Sequence, residues 1–299
     1  MRYNNLFKPI NIGKLKLKNR IVFSSIGIGS YNKNGTITDE NISFVEARTN
    51  EVGLIITTVA ASSYRYGKLK FIGAYDDFFI PSLSKFAKAG HRNGAKIFLQ
   101  LFVMGGPNIL ADDLFLNVVP WVPSINVPMY KKWIGKNKPK ELKKNNIKEL
   151  IDDYAQSARR AKEAGFDGVE IKANEDYLLA TFLTPYFNHR KDEYGGSLSN
   201  MLRFPIEIIR GIKKLCGPYY PIGFKYNIYY DSPEGGGVNL DMGVKIGEKI
   251  ASEGVAYLHV TPYGKNNIPY SLMEPTTMPN QYQPRNNVIP LGACPIIHC

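Results

Sequence analysis

The sequence predicts an α/β fold in which parallel strands alternate with helices. Three observations carry that reading. Short, almost unbroken apolar runs such as Gly53 to Thr58 (GLIITT) and Ala95 to Leu101 (AKIFLQL) have the character of parallel strands covered on both faces. Longer segments between them repeat apolar residues at helical spacing. The alternation recurs about six times, and at 299 residues the chain suits one (β/α) barrel domain, 1–299, better than two smaller domains.

Taken in order, Arg20 to Ser25 is the first strand of the series. The SIGIGS that follows has Gly27 and Gly29, which leave room for close backbone approach by a planar ligand. Thr38 is an N-cap with Asp39 and Glu40 in the first turn of a helix running to about Glu51. After the second strand, Gly53 to Thr58, Pro81 opens a helix that ends near Asn93 and Gly94. The third strand, Ala95 to Leu101, contains Gln100. An amide inside an apolar strand is either a structural bond-maker or a reader of ligand.

Residues 107–145 form a long segment without a clear period, including PWVPSINVP and a lysine-rich tract. In a barrel this loop lies on the catalytic face. Asn146 and Glu149 have capping-box spacing at the start of the next helix. Val169 and Ile171 mark the fourth strand, Asn200 to Leu215 an amphipathic helix, and Pro221 to Tyr226 the fifth strand. Leu240 to Glu253 is a helix stopped by Gly254, and Ala256 to Val260 is the sixth strand, within which His259 reads as a hydrogen-bonded strand histidine. Residues 261–299 read as an irregular tail with neither a seventh strand followed by a helix nor an eighth. The expectation is therefore a TIM (β/α)8-type barrel, incomplete, with the edges of its first and sixth strands open.

Composition narrows the function. Hydrophobic residues at 44% and charged residues at 21% are ordinary for a globular protein with a substantial core. A net charge of +12 favours an anionic partner such as nucleic acid, a phosphorylated cofactor or an acyl-CoA. The lysines are widely spread, though, and densest over Lys131 to Lys148, so they read as a solvated surface and no nucleic-acid partner is expected. No run of 18 apolar residues and no apolar h-region after the N-terminus is present, so no membrane association and a cytoplasmic location are expected. Cys216, Cys294 and Cys299 are too scattered for a disulfide framework, a zinc site or an iron-sulfur cluster, and no metal is expected.

Chemistry concentrates at the end of the fourth strand. Glu170, Lys172, Glu175, Asp176 and Tyr177 crowd the C-terminal end of a buried strand, where β/α folds place their active sites. The stretch reads FDGVEIKANEDYLLATFLTPYFNHRKDEYGGSLSNMLRF. Its DGVEI, its tyrosine before a Leu-Leu pair, and its N-R-DEYGGSL-N and R-F together resemble the flavin-dependent old yellow enzyme family. The branch it is most similar to is the bacterial NADH:flavin oxidoreductases and 2,4-dienoyl-CoA reductases. The opening LFKPINIGKLKLKNRIVFSS resembles the same family's N-terminal signature.

The resemblance implies FMN as cofactor and NADH or NADPH as reductant. The implied substrate is a small molecule, an enone or acyl-CoA type, whose C=C bond is reduced. It places Ser24, Ser25, Ile26, Gly27 and Val59 near the flavin ring, Gln100 on its pyrimidine edge, and Lys225 where the family has an arginine. Tyr177 becomes the proton donor, with Glu175 beside it as a second catalytic group. Lys172 and Glu175 bind substrate where many members have histidines, and Glu175-x-Tyr177 fits the dienoyl-CoA reductase branch. The chain departs from the pattern at Ser25, often proline, and at Val103 to Gly106, usually His-Ala-Gly-Arg. No counterpart of the loops that bind the FMN phosphate is found, nor of that branch's cluster cysteines.

Two alternatives remain at this stage. One is a catalytically inactive, truncated barrel or one that needs a partner chain. The other is a flavin barrel that modifies tRNA, against which the N-terminal signature and DEYGGSL argue. A homo-oligomer is left open.

Overall fold

In the computed structural model the described residues are 4–67, 71–107, 119–131, 138–232, 234–263, 289–291 and 296–298. The chain opens with an antiparallel hairpin, β1 (Ile10–Ile12) and β2 (Leu15–Leu17), whose buried Ile10, Ile12 and Leu17 pack beneath the sheet with Phe98 and Tyr257. The alternating series follows: β3 (Ile21–Phe23), α1 (Asp39–Glu46), β4 (Leu54–Ala61), α2 (Ile80–Gly90), β5 (Lys96–Phe102), α3 (Lys144–Glu163) and β6 (Gly168–Ala173). A short helix α4 (Leu178–Phe182) leads to α5 (Leu198–Cys216), β7 (Ile222–Tyr230), α6 (Leu240–Ser252) and β8 (Tyr257–Tyr263).

The six strands β3, β4, β5, β6, β7 and β8 are neighbours in chain order and pair in parallel, as strand–helix–strand crossovers require. The α/β fold of barrel type is thus present. Burial of both sheet faces explains the near-continuous apolar strands: β5 reads KIFLQLF with every residue after Lys96 buried.

Local chemistry sets most boundaries. Thr38 caps α1 by accepting from the Asn41 amide, and Ser197 and Asn239 do the same for α5 and α6. The helix expected to start at Asn146 begins earlier, at Lys144. Asn146 sits in its first turn, and its Oδ1 accepts from the Lys143 amide at 3.2 Å. Strand β8 runs to Tyr263, beyond the Val260 expected.

The tail gives the main difference from the sequence reading. Within residues 261–299, β9 (Ile289–Leu291) pairs parallel with β3, and β10 (Ile296–His298) pairs antiparallel with β8. The edges expected to be open each meet a short strand, because backbone amides and carbonyls pair with any extended segment that reaches them. Among the described residues the sheet has nine strands, counting Ile72–Gly73 against β4. The loop expected over 107–145 is described at its ends, where Trp121–Val122 pairs with Lys140–Glu141. Residues 108–118 and 132–137 lie outside the described set.

Among the described residues no helix is long and apolar enough to cross a membrane, and no cluster of His, Cys, Asp and Glu could hold a metal ion.

Candidate active site

A cleft of about 370 Å³ opens at the C-terminal ends of the parallel strands. Of the residues expected to bind cofactor or substrate, Ser25, Gly27, Val59, Gln100, Lys172, Glu175 and Tyr177 all line it. Lys225 stands behind them, 7% exposed, with its Nζ 3.4 Å from Ser25 Oγ. Ser24 is buried, while Ile26 is 48% exposed, and neither belongs to the wall. The fold therefore brings together residues from four strand ends and separates the alternating positions after β3.

The strand period explains the grouping. Side chains two apart on a strand share a face, so Glu170 and Lys172 on β6, and Lys225 and Asn227 on β7, point to one side. Register aligns them: Gln100 opposite Glu170, Lys172 opposite Lys225, and Lys225 opposite His259.

The deepest layer is polar. Glu170 is fully buried and receives Gln100 Nε2 at 2.6 Å, Tyr257 OH at 3.0 Å and His259 Nδ1 at 2.9 Å. Burial pushes its pKa up, but His259, Lys225 and Gln100 outweigh that and hold the carboxyl below its ordinary value. Burial lowers the His259 imidazole, against the pull of Glu170. Burial and Glu170 together raise the Tyr257 phenol well above its usual range. The layer therefore contains one carboxylate facing three donors. His259 is only half satisfied among the described residues, where its buried Nε2 finds no partner.

At the mouth, Lys172 Nζ lies 3.1 Å from Glu175 Oε1 and 5.0 Å from the centre of the Tyr177 ring. Burial lowers the Lys172 pKa, Glu175 opposes that shift, and the Lys225 cation adds to it. Tyr177 is half-buried and its ring meets Phe102 edge-on at 4.7 Å, while Phe102 meets Phe71 at 5.3 Å, which gives the cleft an aromatic wall.

One residue that the sequence reading did not single out, Asn227, shapes this turn. Glu175 has φ +58°, a left-handed conformation rare for a residue with a side chain. Asn227 holds it from both sides: its Oδ1 accepts from the Glu175 amide at 2.9 Å and its Nδ2 donates to the Glu175 carbonyl at 2.8 Å. The available signal was an amide in a strand, two residues after Lys225. Gly106 closes on the same turn at φ +78°, where a Cβ would overlap the Asp176 carbonyl oxygen. Where a polar side chain was expected to be missing after β5, the backbone itself packs against the tyrosine turn.

The NHRKDEYGGSL segment lies outside the cleft wall. Arg190 is buried and bonds Asp192 through Nε (3.0 Å) and Nη2 (2.6 Å), while its Nη1 donates to the Pro123 and Leu142 carbonyls. Asn188 Nδ2 donates to the Phe182 and Tyr194 carbonyls, each at 2.8 Å. The motif fastens α4, the 119–142 segment and the start of α5 into one rim.

The fit of a flavin ring can be judged from what the wall leaves unused. Gln100 spends Nε2 on Glu170 and on Ser25 Oγ (2.9 Å), and its Oε1 is buried with no partner among the described residues. An unpaired carbonyl oxygen in the cleft wall calls for an N–H donor, which a flavin pyrimidine edge carries. The residues present fit the ring. The loops expected to bind the FMN phosphate would follow β8, where residues 264–288 and 292–295 lie outside the described set.

Comparison with known proteins agrees with this arrangement. The chain is 35% identical over 277 residues to an NADH oxidase of Thermoanaerobacter brockii, covering 92% of this chain and 41% of that protein. It is 38% identical over 237 residues to a cinnamate reductase of Clostridium sporogenes, covering 76% of this chain and 35% of the relative. A solved structure of 2-naphthoyl-CoA reductase in complex with 2-naphthoyl-CoA superposes with a TM-score of 0.78 at 26% identity, over 94% of this chain and 44% of that one. The chain thus spans less than half the length of each. The family described as NADH:flavin oxidoreductase / NADH oxidase matches residues 5–238, from just before the opening hairpin through the tyrosine turn to eight residues past β7. With the parallel barrel strands, the cleft at their C-terminal ends and the oxidoreductase relatives all in agreement, the chain belongs to the NADH:flavin oxidoreductase / NADH oxidase family.

Proposed function

We propose that the chain is an FMN-dependent NAD(P)H oxidoreductase that reduces the C=C bond of an enone or of an enoyl or dienoyl thioester. The observation that carries this reading is the juxtaposition of Lys172, Glu175 and Tyr177 at the mouth of a cleft whose inner wall holds the unpaired Gln100 oxygen. Relatives named for reducing cinnamate and 2-naphthoyl-CoA, both conjugated acyl compounds, support the substrate class.

When bound, FMN supplies the hydride, taken from NADH or NADPH. Gln100 and Ser25 hold the ring edge, Gly27 and Val59 border it, and Ser24 and Ile26 flank that border. Lys225 places a cation beside Ser25 and would stabilise negative charge on a bound ring, as an ammonium rather than a planar guanidinium. Lys172 donates from Nζ to the substrate carbonyl oxygen and so polarises the alkene. Glu175 keeps that ammonium in place, which an ionised carboxylate does as an acceptor. Tyr177 delivers the phenolic proton to the α-carbon, completing the saturation.

The test is turnover of 2-cyclohexenone, cinnamoyl-CoA and a 2,4-dienoyl-CoA by folded, FMN-loaded protein with NADH or NADPH. Tyr177→Phe should slow the alkene half-reaction by about 10²- to 10⁴-fold while leaving reduction by the nicotinamide unchanged. Absence of turnover on all three compounds would overturn the reading.

A further inference from the structure

The direction of the hydrogen bonds made by the Gln100 side chain is fixed by one residue. Glu170 is held ionised, so both its oxygens accept and neither donates. The atom of Gln100 that lies 2.6 Å from Glu170 Oε1 must therefore be the amide nitrogen. The same nitrogen lies 2.9 Å from Ser25 Oγ, and its two hydrogens account for both contacts. Gln100 is left with an acceptor and nothing else.

The consequence passes on to Ser25. Its Oγ accepts from Gln100 Nε2 and faces the Lys225 ammonium at 3.4 Å, so both of its neighbours are donors. The hydroxyl hydrogen has no use on that side and is available to the cleft, which Ser25 lines. An acceptor, Gln100 Oε1, and a donor, Ser25 O–H, thus stand on adjacent wall residues. Neither would be determined if residue 170 were neutral, because an amide or alcohol there offers both roles. Tyr257 and His259, both donating to Glu170, complete its hydrogen-bonding shell among the described residues.

We propose that Glu170 is the positioning residue of this cleft: it orients the Gln100 amide and, through it, the Ser25 hydroxyl, so that the wall reads an N–H beside a C=O, the edge of a cyclic imide. This rests on the flavin reading above and extends it to the residue that enforces the hydrogen-bond pattern. The chain's serine, where the resemblance leads one to expect proline, then supplies a donor that proline lacks.

The experiment titrates the full chain with FMN and with 3-methyl-FMN, in which the imide N–H is replaced, following flavin fluorescence. The native chain should prefer FMN by about tenfold or more, one hydrogen bond to a buried acceptor. Glu170→Gln should reduce that preference to less than about threefold, since the Gln100 amide is then free to turn. A merely structural role would weaken both ligands by the same factor and preserve the ratio, which would overturn the proposal. Ser25→Ala tests the donor separately at a site that does not carry the core: FMN affinity should fall about tenfold with the methyl discrimination retained, and unchanged affinity would overturn that half. If the native chain binds neither flavin, the flavin reading itself falls. Binding of both with equal affinity removes only the role given to Glu170.

Discussion

Replacing Asn227 with leucine, nearly the same shape without the amide, tests how the tyrosine turn is held. Asn227 makes two hydrogen bonds to the Glu175 peptide, at 2.9 and 2.8 Å, around a φ of +58°. Losing them leaves the Glu175 N–H and C=O without their partners, at about 1 to 3 kcal/mol each. The turn can relax out of the left-handed region, which returns about 1 to 2 kcal/mol. The net loss should be about 1 to 4 kcal/mol. Thr261 leaves no orphan, because its Oγ1 also donates to the Tyr226 carbonyl at 3.1 Å. Urea unfolding followed by circular dichroism gives the stability. Asn227→Asp is the companion variant, because it keeps the acceptor for the Glu175 amide but sets a carboxylate against the Glu175 carbonyl. Its destabilisation should ease as the pH is lowered towards the aspartate pKa. A leucine variant within about 0.5 kcal/mol of the native chain would refute the clamp, since surface changes of no structural weight fall in that range.

Other expectations follow from the same geometry. Gly106→Ala should cost about 2 to 5 kcal/mol, the left-handed backbone and the overlap with Asp176 acting together, and calorimetry measures it directly. Lys172 binds its proton less tightly when folded than when unfolded. Stability should therefore rise with pH between that depressed value and about 10.4, and Lys172→Met should flatten this rise in urea titrations across the alkaline range. Glu170 gives a slope of the same sign in the acid range: its folded pKa lies below the ordinary carboxylate value, so its stabilisation is present above about 4.3 and is lost as the pH falls through the folded value. Acid unfolding of Glu170→Gln should lack that step. Arg190→Met should destabilise the fold by about 3 to 5 kcal/mol through the unpaired Asp192 and the two orphaned carbonyls, while the folded fraction keeps native affinity for the flavin ring.

Much of the architecture was legible because it rests on local periodicity. The apolar runs of β4 and β5 and the capping serine, threonine and asparagine residues mark their elements without any knowledge of neighbours. Gln100 was legible as well, since a buried amide in an apolar strand must find partners. Its partner Glu170 was visible only as one of several charges after a strand. That it faces Tyr257 and His259, nearly ninety positions away, depends on sheet register. Asn227 escaped notice for the same reason: its role is to hold a turn on a different strand. The pairing of the tail escaped because three-residue strands have no period to read and are specified by the edges they meet.

That pairing imposes an order of events on the chain. Ile21 pairs with Ile289, so one side of β3 is completed by residues made almost a whole chain later. During synthesis, at about 5 to 20 residues per second, β3 can join β4 within seconds of both emerging, yet its outer amides and carbonyls wait for the tail. The nascent barrel therefore spends most of its time on the ribosome with one strand half paired, and the hairpin at Ile10–Leu17 is the neighbouring structure already made by then. Among the described strand pairings of this sheet, that of β3 with β9 has the longest loop to close.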